Sequence, residues 1–178
     1  MTRICVFCGS SNGDLEAYAE GAAAFGSLLA QRNIGLVYGG ASVGLMGAVA
    51  DAVLRANGDV TGVIPQSLVD KEIAHPSLTN MHIVETMHER KALMADLSDS
   101  FVALPGGIGT LEELFEMWTW AQLGMHDKPC VLLNIASYYD QLIGFLDKMT
   151  DSGYLKEASR LQLQVAYSPE EAVIACEG

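Results

Sequence analysis

Short, uniformly apolar runs alternate along this chain with stretches in which apolar residues return every three or four positions. Ile4–Phe7 predicts a first strand, and Asp14 stands where it would cap a helix through Gln31. Leu15, Tyr18, Ala22, Phe25, Leu28 and Leu29 form the stripe of that helix. Gly35–Tyr38 predicts a second strand, Leu45–Ala56 a helix closed by Asn57-Gly58, and Val60–Ile64 a third strand stopped by Pro65. The polar segment from Gln66 to Asn80, with Pro76 inside it, predicts a loop with room for a helical turn. Met81–Val84, Phe101–Leu104, Val131–Leu133 and Leu163–Val165 read as further strands. Met87–Leu97, Thr110–Leu123 and Tyr138–Met149 read as the helices between them. Ser168-Pro169-Glu170-Glu171 has the cap, the proline and the acidic first turn that open a last helix. Apolar strands alternating with helices predict an α/β fold: one doubly wound parallel sheet with helices on both faces, a single domain over residues 1–178. Ligands of such sheets bind beyond the carboxyl ends of the strands.

Charge narrows the partners. Ten Lys and Arg against 22 Asp and Glu leave a net charge of −12, and only Arg90 and Lys91 are adjacent basic residues. A nucleic-acid backbone or an anionic membrane would be repelled, so neither is expected as a partner. The start of the chain lacks a signal-type apolar region and no run is long enough to span a bilayer, so a cytoplasmic protein is expected. Cys5-Val6-Phe7-Cys8 spells C-x-x-C, but the redox motif normally opens a helix and Cys5 lies in a strand-like run. Buried thiols are expected there.

The chemistry is concentrated in glycine. Three predicted strands run into glycine-bearing turns that open helices: Cys8-Gly9-Ser10-Ser11-Asn12-Gly13, Gly39-Gly40-Ala41-Ser42-Val43-Gly44 and Pro105-Gly106-Gly107-Ile108-Gly109-Thr110. A parallel sheet places all three at one edge. Glycine permits close backbone approach, and helix N-termini supply unpaired N–H groups with a partial positive charge. An anion, with a phosphate as the expected one, suits that edge, which makes Gly9, Ser10, Gly39, Gly40 and the Gly107–Thr110 turn candidate binding residues. The plain alternative is that the glycines serve turn geometry alone. Neither G-x-x-x-x-G-K-[ST] nor G-x-G-x-x-G is present.

Two kinds of charge stand out beside these loops. Arg90 shares a helix face with Leu93, Met94 and Leu97 and lies near a helix N-terminus, where the macrodipole opposes a cation. A partner anion would explain it, and so would snorkelling or pairing with Glu85, Glu89 or an acidic loop. Glu112 and Glu113 fall in the first turn of the helix predicted from Thr110, where carboxylates complement the dipole and stay ionised. The histidines have no ligand spacing, and no metal is expected.

Pro105-Gly106-Gly107-Ile108-Gly109-Thr110-Leu111-Glu112-Glu113 matches the P-G-G-x-G-T-x-x-E signature of the LONELY GUY family, the cytokinin riboside 5′-monophosphate phosphoribohydrolases often mislabelled lysine decarboxylases. Cys5–Ser11, Tyr38-Gly39-Gly40, Gly44-Leu45-Met46-Gly47, Gly62–Pro65 and Met87–Lys91 resemble the family in the same order, over about residues 3 to 135. Ala41 stands where a third glycine is expected. The resemblance implies a Rossmann-like domain that hydrolyses the N-glycosidic bond of a nucleoside 5′-monophosphate, without a cofactor, as a homodimer. It implies catalytic roles for Arg90 and Glu113, and substrate contacts at Glu72, Lys91, Gly107, Ile108, Gly109, Thr110, Leu111 and Glu112. Neither Arg90 nor Glu113 belongs to the predicted apolar core, so their substitution is expected to leave the fold intact. A related hydrolase with another preferred base, and a non-catalytic nucleotide or cofactor carrier on the same fold, are the competing readings. A lysine decarboxylase would need a Schiff-base lysine and a cofactor-sized pocket. The helix Thr110–Leu123 carries Leu111, Leu114, Phe115, Met117, Trp118, Trp120 and Leu123 around more than one face, which also predicts a subunit contact, the alternative being a helix buried within one subunit.

Overall fold

The computed structural model describes residues 1–69 and 74–177. Its strands are β1 (Arg3–Phe7), β2 (Gly35–Tyr38), β3 (Val60–Pro65), β4 (Asn80–Val84), β5 (Ser100–Ala103), β6 (Cys130–Leu133) and β7 (Leu163–Ala166). All pair in parallel, in the order β4-β3-β2-β1-β5-β6-β7. The order reverses at β1 and β5, so their two exits open side by side and form the crevice where a ligand is expected.

Alternation along β1 feeds two cores. Ile4, Val6 and Cys8 pack with Phe25 and Leu29 of α1 (Glu16–Gln31), Val49 and Val53 of α2 (Gly44–Arg55) and Val173 of α8 (Pro169–Glu177). Cys5 and Phe7 face the other way, onto Met94 of α4 (Met87–Asp96), Leu114 and Met117 of α5 (Ile108–Gln122) and Leu146 of α6 (Asp140–Asp151). The C-x-x-C pair is therefore split between opposite faces, and all four cysteines are free thiols. Burial, with the Glu113 charge adding to it, pushes the Cys5 and Cys8 thiols well above their ordinary range. They are inert core residues, as expected.

Helix ends differ from the sequence reading in informative ways. Asp14 does not cap α1; Leu15 occupies the cap position and makes no side-chain bond. The helix α5 starts at Ile108, two residues earlier than predicted, because the extended backbone of Gly107 serves as a cap without a side chain. Glu112 and Glu113 consequently lie in its second turn, not its first. The start of α4 is stapled by Thr86, whose hydroxyl accepts from the Glu89 N–H at 3.1 Å while the Glu89 carboxylate takes the Glu85 N–H at 2.9 Å. That S/T-x-x-E spacing was present in the sequence. The predicted loop after β3 includes one turn, α3 (Gln66–Val69), and α7 (Glu157–Gln162) was too short to show a period. Among the described residues, no helix is long and apolar enough to cross a membrane.

Candidate active site

The three glycine loops meet and bind one another. The Gly9 N–H donates to the Pro105 carbonyl at 3.0 Å, and the Gly9 carbonyl accepts from Leu45 N–H at 3.0 Å. Above them a cleft of about 360 Å³ is floored by Gly9, Ser10 and the start of α5. Gly107, Ile108, Gly109, Thr110, Glu112, Glu113 and Arg90 also line it.

The start of α5 has the features of an anion cradle. Gly107 supplies no capping side chain, so the cap residue offers the first N–H groups of the helix no side-chain acceptor. Among the described residues, a methyl group added to Gly107 or Gly109 would meet nothing within 4 Å, so both exposed glycines, which line the cleft, have open space beside them. Gly106 is the opposite case, because a Cβ there would collide with Thr110 Oγ1.

Arg90 is buried, at 4% exposure, which is rare for a cation and needs satisfied donors. Its Nε donates to the Val63 carbonyl at 3.0 Å and its Nη2 to the Gly39 carbonyl at 3.0 Å. These oxygens lie at the ends of β3 and β2, so the sheet edge itself sets the guanidinium. The Glu89 carboxylate considered from sequence as its partner accepts the Glu85 N–H. Gly39 is explained by the same contact, since a Cβ there would sit 2.3 Å from Arg90 Nη2. Gly39 and Gly40 do not line the cleft; Gly39 seats the arginine, and Gly40 turns the chain with φ +83°. Arg90 lies outside the apolar core, as expected, but its buried bonds to the Val63 and Gly39 carbonyls tie α4 to the sheet.

Glu113 lines the cleft close to the end of β1, where its negative charge helps to raise Cys8 and Cys5 while that of Arg90 lowers Cys5. Lys91, adjacent to Arg90, goes elsewhere. Its ammonium is held by Glu112 at 2.5 Å and Glu116 at 2.7 Å. Burial alone would lower this lysine, but those hydrogen bonds outweigh it and keep it above its ordinary value. Leu111 is half-buried and packs against the α4–α5 core. Glu72 lies outside the described residues. Sequence reasoning missed the apolar rim of Met46, Leu68 and Met87. Only Met46, directly after the second glycine loop, stood in a position that hinted at it.

A family model described as "Possible lysine decarboxylase" matches residues 46–176. The cytokinin riboside 5′-monophosphate phosphoribohydrolase LOG5 of Arabidopsis thaliana is 53% identical over 158 residues, covering 89% of this chain and 69% of LOG5. The enzyme of the same name numbered LOG1, from the same plant, is 50% identical over 171 residues, covering 96% and 80%. Among solved structures, the molybdenum cofactor binding protein from Rippkaea orientalis superposes with a TM-score of 0.73 at 21% identity, over 99% of this chain and 95% of that one. At that identity the likeness establishes the fold alone. The decarboxylase description does not suit the cleft: among the described residues no lysine lines it, and Lys91 is held as an ammonium whereas a Schiff base needs the neutral amine. By the extent and identity of these matches, the chain belongs to the family of cytokinin riboside 5′-monophosphate phosphoribohydrolases.

Proposed function

We propose that this protein hydrolyses the N-glycosidic bond of nucleoside 5′-monophosphates, cytokinin nucleotides or AMP, and releases free base and ribose 5-phosphate. The observation that carries the reading is that a carboxylate, Glu113, and a buried guanidinium, Arg90, line one cleft together with the start of α5, whose cap residue has no side chain. The 5′-phosphate sits on the Ile108–Thr110 amides, where the backbone dipoles of α5 favour an anion. This places the ribose between Glu113 and Arg90. As the base departs, positive charge develops at C1′ and the ring oxygen, and the Glu113 carboxylate stabilises it and orients the attacking water. Water adds its oxygen to C1′, the base leaves with the bonding pair, and a proton follows it. Arg90, fixed by the Val63 and Gly39 carbonyls, holds the sugar phosphate in register without reorganising during the reaction. The apolar rim of Met46, Leu68 and Met87 suits a base carrying an apolar substituent.

The same reading makes the protein a homodimer in a reducing, cytoplasmic setting, which four unpaired thiols suit. Ile108 at the mouth of the cleft is 88% exposed, and Leu123 and Met125 beyond the other end of α5 are 68% and 65% exposed. With half-buried Phe115 and Trp120 between them, this helix presents more apolar surface than one subunit covers. Light scattering at micromolar concentration distinguishes dimer from monomer.

Incubation with AMP and with isopentenyladenosine 5′-monophosphate, followed by chromatography of the free base, tests the activity. Base release from either confirms a phosphoribohydrolase, and the ratio of rates gives the base preference. Tight nucleotide binding without release would establish the carrier instead.

A further inference from the structure

After β6 the chain passes through a 3₁₀ turn, Ile135–Ser137, in which Ala136 and Ser137 both take left-handed backbone angles, φ 49° and 60°. Neither is glycine, so the turn is disfavoured locally and persists because its surroundings impose it. Asn134 holds its exit, accepting from the Tyr139 N–H at 2.7 Å and donating to Asp140 at 2.7 Å. The outcome is a pair of tyrosines aimed at the phosphate loop. The buried Tyr139 hydroxyl donates to the Leu104 carbonyl at 2.6 Å, and the Tyr138 hydroxyl donates to the Gly106 carbonyl at 2.6 Å. The Tyr138 ring is steadied edge-on by Tyr18 and Tyr139, at 5.4 and 4.9 Å between centroids.

We propose that Tyr138 is a positioning residue whose hydroxyl locks the Gly106–Gly107 peptide so that the Gly107 N–H points into the phosphate cradle. A trans peptide is planar, with its carbonyl and its N–H on opposite sides. Tyr138 lines a separate recess of about 390 Å³, and Gly107 forms part of the wall between that recess and the cleft of Arg90 and Glu113. With the Gly106 carbonyl drawn to Tyr138, the Gly107 N–H turns to the cleft side. A peptide between two glycines is the easiest of all to flip, because neither residue resists φ above zero. A flip would replace a donor by a carbonyl oxygen facing the anion. The strained turn thus serves to place one hydroxyl.

This inference rests on the reading that the start of α5 takes the 5′-phosphate, and the experiment separates the two. Calorimetric affinities for ribose 5-phosphate and for adenosine, which has no phosphate, are measured on wild type, Tyr138→Phe and Tyr139→Phe, each with a thermal melt. Tyr138→Phe keeps the ring packing and loses an exposed hydrogen bond, so its melt stays at the wild-type value. Its affinity for ribose 5-phosphate falls about tenfold, equivalent to about 1.4 kcal/mol, and its affinity for adenosine is unchanged. Tyr139→Phe lowers the melt, because it strands a buried carbonyl, but keeps the wild-type ratio of the two affinities. Unchanged ribose 5-phosphate affinity in Tyr138→Phe, or an equal fall for adenosine, overturns the lock while leaving the cradle standing. Failure of wild type to bind ribose 5-phosphate removes the cradle and the lock together.

Discussion

Two glycine pairs of this protein look alike in sequence and do opposite things. In the second loop the space beside Gly39 is filled by Arg90 Nη2, and that beside Gly40 by Met81 and Ile64. In the third loop the space beside Gly107 and Gly109 is empty to 4 Å. The first pair is small so that the protein can bring its own cation against its own backbone. The second is small so that something else can come against its amides. A site of this kind needs both, because an arginine fixed by the fold and an open row of N–H groups together make an anion pocket with little left to reorganise on binding.

The sharpest way to test that division is to remove the charge beside the open loop. Glu113→Gln keeps shape and loses the carboxylate facing the developing positive charge, so turnover of AMP falls by about 10²–10³. Its dissociation constant for AMP stays the same or drops, since a carboxylate beside a phosphate is repulsive. Near-normal turnover, or a loss of affinity as large as that of turnover, would show that the chemistry lies elsewhere.

The filled loop answers to Gly39→Ala. A methyl group 2.3 Å from Arg90 Nη2 forces the guanidinium off two buried carbonyls. Leaving those groups unpaired costs about 1–3 kcal/mol in a urea melt, with turnover lost in parallel. Arg90→Ala behaves likewise, destabilising the fold as well as weakening nucleotide binding. A wild-type melt for Gly39→Ala would mean that the glycine serves the turn alone.

The open loop has the opposite sign. Gly109 lies in the first turn of α5 without positive φ, so Gly109→Ala gains about 0.5–1 kcal/mol of helix stability. If the phosphate lies against this glycine, the same methyl occupies space the ligand needs, and AMP affinity falls about tenfold, or about 1.4 kcal/mol. A variant that melts higher and binds as well as wild type would remove the ligand argument for this glycine.

This pair also marks how far the sequence could be read. The parallel sheet was legible because seven apolar runs alternate with stretches of helical period, whereas the place where the strand order switches, between β1 and β5, is known only from the structure. That Gly39, Gly40, Gly107 and Gly109 belonged to one edge was legible for the same reason. What fills the space beside each was not, because it depends on a side chain 51 residues away, in Arg90, or on no atom at all. That Lys91 meets Glu112 and Glu116 of α5 was not legible either, because it depends on how α4 and α5 pack. Tyr138 gave no signal, since its role rests on a peptide plane rather than on a residue pattern.

The smallest effect concerns the far end of α5, where the charge logic of the cleft is absent. Burial lowers His126 below the ordinary histidine value, and the nearby Lys128 charge lowers it further against the opposing bond to Met117 and the charge of Asp127. The neutral ring satisfies both nitrogens: Nε2 lies 3.0 Å from the Met117 carbonyl, and Nδ1 accepts from the Lys128 N–H at 3.1 Å. Protonation would place a second donor at Nδ1 and break the latter bond. Below a pH of about 6.5 the unfolded chain takes up a proton that the folded one resists, so stability is full above that pH and declines as pH falls through it. The ring is partly exposed, so solvent screening keeps the loss below about 1 kcal/mol between pH 7.5 and 5.5. His126→Gln keeps a donor for Met117 and removes the titration, so urea melts of this variant should show a flatter slope across that window than wild type. Its affinity for ribose 5-phosphate should match wild type at each pH, because the cradle lies at the opposite end of the helix. An unaltered slope would place the acid sensitivity in another group, and an altered affinity would mean that α5 transmits charge along its length.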